Sequence, residues 1–485
     1  MGDDSTQTEA GTEVGDGDGD GDGDGDGDGV GDGDGDGDGD GDGGGDGDGD
    51  GDGDGDGDGD VDGDGDGDGD GDGDGDGDGD GDGDGDGDGD GEGEAPGLMC
   101  DSIALLGEPI ALDPEPPNGS QPSAAPVLWR DSTQELVLAR PDWENSACHM
   151  TIQLRDIDGA LIDEPISPAL DGTGTFYCGS NSALGWNEGL GHYLFAGQGG
   201  VGNNSVLLLE AFDEQGASQW AATGRHICNN IMQTLEIQGA GDRFYVMGAE
   251  RHCSSQDTRN TYVDAYGPEG DLIGQVKTGA GVYGDAVCLG PDCLEAYALR
   301  YGINPPGDLQ NGTNATWGQR FDLSNFSAEP NNLSLNLGPS SLQHAGVGSD
   351  GAQYLVAMGH YASQTMSTYR FRLVEADGTA VPGGADLVQS KRPSIFDIVW
   401  TGSGWLVATS IWTHNGMGLA NSWTDYQVRI WHLAPDATLR EHFILDDPHP
   451  GLLPKFALMP GKVAITWVRP GVDRSRMLGF LGCEA

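Results

Sequence analysis

Short apolar stretches separated by polar turns recur seven times along the chain, from "ELVLA" near residue 136 to "KVAIT" near residue 463. Those in between read "HYLFA", "RFYVMG", "EAYAL", "QYLVAMG" and "GWLVATS". We call the first apolar residue of each stretch its anchor residue; the anchors are Leu136, Tyr193, Phe244, Ala296, Tyr354, Trp405 and Val463. Successive anchors are 51 to 58 residues apart, and this regularity predicts a structural repeat.

Each repeat has the pattern of four antiparallel strands. An apolar strand and a tight turn such as "TGSG" precede the anchor stretch, and a longer alternating strand such as "TYRFRLVE" follows it. A second turn, such as "EADGT", then leads to a fourth strand. Gly and Pro interrupt every window that would otherwise suit a helix. The sequence therefore predicts an all-β fold, a seven-bladed β-propeller with one repeat in each blade.

The last repeat has three strands, and an unassigned strand precedes the first. The stretch "CDSIALLGEPIAL", which starts at Cys100, resembles the fourth strand of the first repeat, "ALIDEPISPAL". We expect this N-terminal strand to complete the last blade beside the strand that ends at Cys483. A Cys100–Cys483 disulfide would then close a loop of nearly the whole domain, worth roughly 5 kcal/mol in the chain-entropy model.

The chain has eight cysteines, and none forms a CxxC pair. Their even number in an acidic, loop-rich chain favours disulfides and an oxidising compartment over a metal site. "CLGPDC" places Cys288 and Cys293 on the two strands of one hairpin. The remaining four precede first strands or follow second strands, and these two loop types share one face of a propeller. We therefore predict the further bonds Cys148–Cys178 and Cys228–Cys253.

Residues Gly15 to Asp90 alternate Gly and Asp almost without interruption. Because such a tract has no apolar side chain to bury and its charges repel one another, we expect a disordered acidic tether. The predicted division is therefore a tether at residues 1–96 and a propeller at residues 97–485. "DGDGDG" begins like an EF-hand loop, but the twelfth position lacks the required Glu, so the prediction is weak, diffuse calcium association, with no formed metal site or other cofactor.

The charge of the predicted propeller limits its partners. Residues 97–485 contain 42 acidic and 21 basic residues. This acidity argues against nucleic acid and against anionic membrane surfaces. No apolar run is long enough for a transmembrane helix, and "MGDDSTQTEA" lacks the features of a signal peptide. "GDDSTQTEAGT" looks like the mature start of a bacterial lipoprotein, so we expect an extracellular or cell-envelope location.

The segments "GAQYLVAMG", "GSGWLVATS", "WGQRFDLS" and "YRFRLVEADGT" resemble the repeats of secreted bacterial β-propeller proteins. In that family the units read roughly "G-x-x-Y-L-V-x-W … G-x-R-x-x-x-D-G". The resemblance covers residues 97–485 and departs from the family in the missing strand-end Trp and in the cysteines. Because the motif consists of core strands and turns, it implies a fold and an exported location, and it implies no particular activity.

The long loops between second and third strands share one face and are rich in Asn, Gly, Ser and aromatic residues. We expect the ligand site there; the candidate residues are Tyr301, Tyr361, Trp412, His414 and Trp423. Aromatic platforms with amide groups suit a glycan or a protein surface. Because the sequence contains no familiar catalytic motif, we assign no catalytic residue. The predicted function is a monomeric, non-enzymatic binding module for a glycan, a polymer or a surface protein; the alternative is a glycan-active hydrolase or lyase with its site on the same face.

Overall fold

The computed structural model describes residues 98–484 apart from the loops 113–124, 145–146, 169, 171–174, 177–181, 202–203, 227–234, 252–258, 279–282, 304–313, 329–340, 362–366, 390–391, 413–425, 447–448, 450 and 470–474. The predicted tether at residues 1–96 therefore lies outside the described residues. Within the described residues every regular element is a β-strand, and no helix has the length and apolarity to cross a membrane.

Seven antiparallel sheets follow one another along the chain, one for each predicted repeat, and form a seven-bladed β-propeller. Blade 1 contains β2 (Val127–Arg130), β3 (Glu135–Glu144) and β4 (Ala147–Arg155). Blade 2 contains β5 (Thr175–Phe176), β6 (Ser182–Asn187), β7 (His192–Val201), β8 (Asn204–Asp213) and β9 (Ser218–His226). Blade 3 contains β10 (Leu235–Ala240), β11 (Arg243–Arg251), β12 (Arg259–Tyr266) and β13 (Leu272–Lys277).

The remaining blades have the same order of strands. Blade 4 contains β14 (Tyr283–Leu289), β15 (Glu295–Ile303), β16 (Asn314–Asp322) and β17 (Ser327–Ala328). Blade 5 contains β18 (Ser341–Ser349), β19 (Gln353–Tyr361), β20 (Ser367–Glu375) and β21 (Ala385–Gln389). Blade 6 contains β22 (Arg392–Trp400), β23 (Trp405–Trp412), β24 (Tyr426–Leu433) and β25 (Leu439–Leu445). Blade 7 contains β26 (Leu452–Met459), β27 (Lys462–Val468), β28 (Arg476–Cys483) and, from the N-terminus, β1 (Ile103–Ala111).

The predicted completion of the last blade by the N-terminal strand is confirmed. β1 pairs antiparallel with β28, from Ile103 opposite Cys483 to Ala111 opposite Met477. Cys100 and Cys483 form a disulfide with their Cα atoms 5.5 Å apart. The register shifts after Leu106, where Gly107 adopts a φ of +69° that glycine tolerates without strain. The two ends of the propeller are therefore joined by a strand pair and by a covalent bond.

Blade 1 departs from the predicted four strands. In place of the expected fourth strand, two isolated bridges pair Ile152 with Ile166 and Arg155 with Leu161. Pro165 lies between Leu161 and Ile166, and Pro168 follows two residues after Ile166. Because proline has no N–H to donate to a ladder, the outer edge of this blade is paired only at separate points.

The anchor residues lie in the core between the blades. All seven are on the second strands of their sheets and at most 1% exposed. Each core cluster contains residues of two neighbouring blades, as where Trp405 and Trp431 of blade 6 pack with Tyr369 and Phe371 of blade 5. The repeat seen in the sequence is therefore the repeat of blade-to-blade packing, and it places seven first strands around one axis.

Candidate functional site

One position on the first strands brings charged side chains together at the centre of the propeller. The first strand of each blade pairs with the strand that carries the anchor, as where Trp400 lies opposite the anchor Trp405. In every blade we count back three residues from the first-strand residue that lies opposite the anchor. The residue reached in this way has the same register in all seven blades, and we call it the ring residue of its blade. The ring residues are Pro126, Ala183, Glu236, Asp285, Gly346, Asp397 and Lys455.

A cavity of about 240 Å³ lies at the level of the ring residues. It is lined by the first strands of blades 1, 2, 3, 6 and 7, through Pro126–Leu128, Ser182–Leu184, Leu235–Ile237, Asp397–Val399 and Lys455–Phe456. In blades 1 to 3 these are residues at the start of the first strand, which follows the loop from the preceding blade. In blades 6 and 7 Asp397 and Lys455 lie inside β22 and β26, so the cavity lies along the axis, within the ring of first strands.

Asp397 connects blade 6 to blade 7 on one side of the cavity. Its Oδ1 lies 3.3 Å from the Nζ of Lys455, and its Oδ2 accepts a hydrogen bond of 2.6 Å from the backbone N–H of Phe456. Burial opposes the charge on Lys455, but the carboxyl groups of Asp397, Glu236 and Asp285 outweigh it and raise the pKa of Lys455 above its ordinary value. Lys455 is therefore an ammonium ion held at the cavity wall.

Asp285 makes an equivalent connection between blades 4 and 5. Its Oδ2 accepts a hydrogen bond of 3.0 Å from the backbone N–H of Val347, and the residue is 4% exposed. The first strand of a blade has no further strand on its axial edge, so its N–H groups need partners from elsewhere. The carboxylates of Asp285 and Asp397 each accept a hydrogen bond from one such N–H group of the following blade. Part of their role is therefore to join neighbouring blades, which needs no ligand.

Glu236 differs from the two aspartates. Burial and the neighbouring Asp285 carboxylate raise the pKa of Glu236 well above its ordinary value, Asp397 adds to this, and the ammonium group of Lys455 opposes it. Glu236 therefore keeps its proton at a pH at which an exposed glutamate has lost it. A protonated carboxyl group in a cavity donates and accepts hydrogen bonds, so it suits a polar ligand.

Ser182 adds a hydroxyl group to the cavity wall. The residue is 5% exposed, and its Oγ has no hydrogen-bond partner among the residues that the structure describes. A buried hydroxyl without a partner costs free energy, and groups of this kind mark places where a ligand or water supplies the missing bond.

A metal ion does not fit the described part of the site. No group of three or more His, Cys, Asp or Glu side chains among the described residues is close enough to hold one. The lining instead combines apolar side chains such as Leu184, Ile237 and Phe456 with a few converging polar groups. This combination is typical of a site for a small organic group.

The residues that the sequence suggested for ligand binding lie elsewhere on the blades. Tyr301, Tyr361 and Trp412 are at or near the ends of the second strands of blades 4, 5 and 6, and the structure describes only their backbone. His414 and Trp423 lie outside the described residues. The assignment of these five to a binding surface therefore stays a prediction.

The disulfide predictions have mixed outcomes for the same reason. The Cys288–Cys293 bond is present in the hairpin between β14 and β15. Cys148 is also disulfide-bonded, and the three remaining cysteines lie outside the described residues. Cys178, Cys228 and Cys253 all lie there, so the predicted pairs Cys148–Cys178 and Cys228–Cys253 stay predictions.

Sequence reasoning missed the charged ring residues. The sequence did not point to Glu236, Asp285, Asp397 and Lys455, because no motif distinguishes them from the other charged residues of strands and turns. The signal that identifies them is their common offset from the anchor pair. That offset is visible only when the pairing of first and second strands is known.

No protein-family model and no curated protein matches this sequence. Among solved structures, the chain is similar to the polysaccharide lyase Uly1, at 9% identity and a TM-score of 0.47, over 79% of this chain and 100% of that one. It is also similar to hydrazine synthase of Kuenenia stuttgartiensis, at 12% identity and a TM-score of 0.41, over 73% and 98% of the two chains. A third is the subtype N10 neuraminidase-like protein of A/little yellow-shouldered bat/Guatemala/060/2010, at 9% identity and a TM-score of 0.37, over 79% and 99%. Similarities this weak carry no argument about function, and the seven-bladed propeller rests on the strand pairing of this chain.

Proposed function

We propose that the propeller is a secreted or surface-displayed binding module that takes one sugar unit of a glycan into the axial cavity. The observation that carries this proposal is the cavity itself, in which rigid first strands present charged groups beside apolar side chains. Sites built on strands hold their groups in fixed positions, which reduces the entropy lost on binding.

The chemistry of the lining suits a sugar. Asp397 accepts hydrogen bonds from hydroxyl groups, Lys455 donates to ring and hydroxyl oxygens, and Glu236 does both. The side chains of Ile237 and Phe456 supply apolar surface for the C–H faces of a pyranose ring. A volume of about 240 Å³ accommodates one small polar group, so a longer glycan would extend from the cavity towards the long loops.

Binding without turnover agrees with the contacts of the aspartates. The oxygens of Asp285 and Asp397 accept backbone hydrogen bonds from the next blade, so these groups have a part in joining the blades. The proposed setting is also consistent with the disulfides Cys100–Cys483 and Cys288–Cys293, because such bonds persist in oxidising compartments. In this proposal the Gly-Asp tract is the tether that carries the module.

One observation favours the alternative, a glycan-active hydrolase or lyase. Glycoside hydrolysis uses a carboxylic acid that stays protonated beside a second, ionised carboxylate. Glu236, whose pKa is raised, suits the role of the acid, and Asp397, with its Oδ1 3.3 Å from the Lys455 ammonium group, suits the role of the second carboxylate. The alternative predicts that a bound glycan is cut, whereas the binding module leaves it intact.

The test uses the full chain on an array of defined glycans, with product analysis by chromatography. Ala183 is a ring residue that lines the cavity, so Ala183→Leu fills part of the space. The matched control is Ala221→Leu, on the outer strand β9 of the same blade. We expect Ala183→Leu to weaken glycan binding at least about tenfold and Ala221→Leu to leave it unchanged.

Two results would count against the proposal. Equal glycan binding by the wild type and Ala183→Leu would place the ligand outside the cavity. If shortened or unsaturated glycan products form, and their formation depends on Glu236, the protein is a glycan-active enzyme and the binding-module proposal is wrong. Thermal unfolding of both variants checks that the comparison is made between folded proteins, since a leucine in a packed site costs stability.

A further inference from the structure

The ring residues include more acidic than basic groups, and two of the acidic ones, Glu236 and Asp397, line the cavity together with Lys455. Of the seven ring residues, three carry carboxyl groups and one carries an ammonium group. The charges that act on Glu236 are those of Asp285, Lys455 and Asp397, so its surroundings are negative overall even with Lys455 included. A ligand that enters this space meets a potential that favours positive charge.

Lys455 does not cancel this potential. Its Nζ lies 3.3 Å from Asp397 Oδ1, and that contact commits the single ammonium group to one of the three carboxyl groups. Lys455 is also only 24% exposed, and the Asp397 side chain only 10%. The ion pair is therefore a fixed part of the wall, and Glu236 is the other carboxyl group in the cavity lining.

Ser182 contributes an independent indication that the cavity takes a ligand. Its Oγ lacks a hydrogen-bond partner among the described residues although the residue is 5% exposed, and it belongs to the same lining as Glu236. A hydroxyl group accepts a hydrogen bond from an ammonium or a hydroxyl donor. A ligand rich in donors satisfies both Ser182 and Glu236.

We infer that the sugar unit held in the cavity is an amino sugar with a free, protonated amino group, which lies against Glu236. This inference rests on the proposed function and names the class of ligand for that same site. On binding, the ammonium group favours the ionised form of Glu236, so one proton passes from the Glu236 carboxyl group to solvent while the ligand keeps its own. Anionic sugars are repelled, and neutral sugars gain no charge interaction.

The test compares oligomers that differ only at the amino group. Isothermal titration of the full chain is made with a glucosamine tetramer, an N-acetylglucosamine tetramer and a galacturonate tetramer, at about pH 5.5, about two units below the pKa of an amine with electron-withdrawing neighbours, so that the sugar amine is charged. The variants are Glu236→Gln and, as a matched surface control in the same blade, Glu269→Gln. Because the acidic tract attracts any cation and is common to all variants, only the differences between variants report on the cavity.

We expect the wild type to bind the glucosamine tetramer at least about tenfold more tightly than the N-acetyl tetramer. Glu236→Gln removes this preference, and Glu269→Gln retains it. Titrations in two buffers of different ionisation enthalpy show a net release of protons for the wild type that Glu236→Gln lacks. The proton release distinguishes a ligand charge beside Glu236 from a general change of affinity.

The outcomes separate this inference from the proposed function. If the N-acetyl tetramer binds as tightly as the amine and Ala183→Leu weakens both, the cavity binds sugars but the amino group is not recognised. If trilysine shows the same affinity and the same proton release as the glucosamine tetramer, charge alone is recognised and the amino-sugar assignment is wrong. If no sugar shows binding that depends on Ala183, the proposed function fails together with the inference.

Discussion

The disulfide between Cys100 and Cys483 should contribute more to stability than the hairpin disulfide between Cys288 and Cys293. We consider the paired substitution Cys100→Ala with Cys483→Ala in the full chain. The two cysteines are 383 residues apart in sequence, so the bond restricts a loop of nearly the whole propeller in the unfolded state. For this separation the chain-entropy model gives about 6 kcal/mol, close to the rounded value of roughly 5 kcal/mol expected from the sequence, and this is an upper value because the unfolded chain keeps some residual structure. In the folded state β1 is also held in place by other contacts.

Those contacts are hydrogen bonds to blade 6. The Ile103 N–H donates to Glu441 Oε1 at 2.5 Å, and Arg440 donates to the carbonyl oxygen of Cys100 at 3.1 Å. Ser403 donates through its Oγ to the carbonyl oxygen of Leu98 at 2.6 Å. Because these bonds remain without the disulfide, we expect the double variant to fold with β1 still paired, at a lower free energy of unfolding.

The second disulfide gives a matched control in the same chain. Cys288 and Cys293 are 5 residues apart, for which the same model gives about 2 kcal/mol. These two residues are 2% and 0% exposed, so Cys288→Ala with Cys293→Ala also removes buried packing. If removing the Cys100–Cys483 bond lowers the free energy of unfolding by more than removing the Cys288–Cys293 bond does, the difference comes from closure of the ring of blades and not from lost packing.

The assay is guanidinium unfolding followed by tryptophan fluorescence, with the free energy extrapolated to water. We expect the Cys100 and Cys483 pair to cost more than the hairpin pair. Equal costs, or a smaller cost for the long loop, would refute the reasoning that the bond acts by closing the ring of blades. Hydrogen exchange of β1 amides checks whether the strand stays paired in the variant.

Three further predictions concern charge and pH. The pKa of Glu236 is higher in the folded state than in the unfolded state. The free energy of unfolding therefore falls as the pH rises above the pKa that Glu236 has in the unfolded chain. Glu236→Gln should therefore be more stable than the wild type at neutral pH and similar to it near about pH 4, in urea titrations over that range. Lys455→Met should lower the free energy of unfolding by about 2–3 kcal/mol, since Asp397 then keeps a buried charge without its ammonium partner; an unchanged urea midpoint would contradict this. Burial lowers the pKa of His432 and His442, so stability should fall as pH drops below their unfolded value of about 6.5, by at most about 1.4 kcal/mol per pH unit and group; a flat profile from pH 7 to about 5 in thermal unfolding would show that neither histidine contributes.

The number of blades could be predicted from the sequence because the repeat is a repeat of core packing. Each anchor must be apolar to fill the space between two blades, so selection for packing leaves a visible period. The closing strand could be predicted for a similar reason. A blade with three strands leaves an edge that needs a partner, and the spare strand after Cys100 was the available one.

The ring residues could not be predicted because the turns between first and second strands differ in length. Asp397 precedes its anchor by eight residues, whereas Asp285 precedes Ala296 by eleven. Without the pairing, an offset of one residue moves a side chain to the other face of the strand. The four charged residues therefore looked unrelated in the sequence.

The sequence favours aromatic loop residues as the candidate site over charged residues on strands. Aromatic loop residues such as Trp412 suggest a surface platform, and polar residues on apolar strands suggest solvent exposure. The structure instead places Glu236 and Lys455 on first strands, where they line the axial cavity. Their convergence arises from the closure of seven blades around an axis, which is a property of the whole domain.

The central claim is that the axial cavity binds a sugar unit, and a crystal structure of the full chain soaked with the tightest-binding glycan tests it most directly. The account predicts that a sugar ring lies in the cavity, within hydrogen-bond distance of Glu236, Asp397 or Lys455. A glycan bound only on the outer strands or only across the long loops, with the cavity holding water, would contradict it.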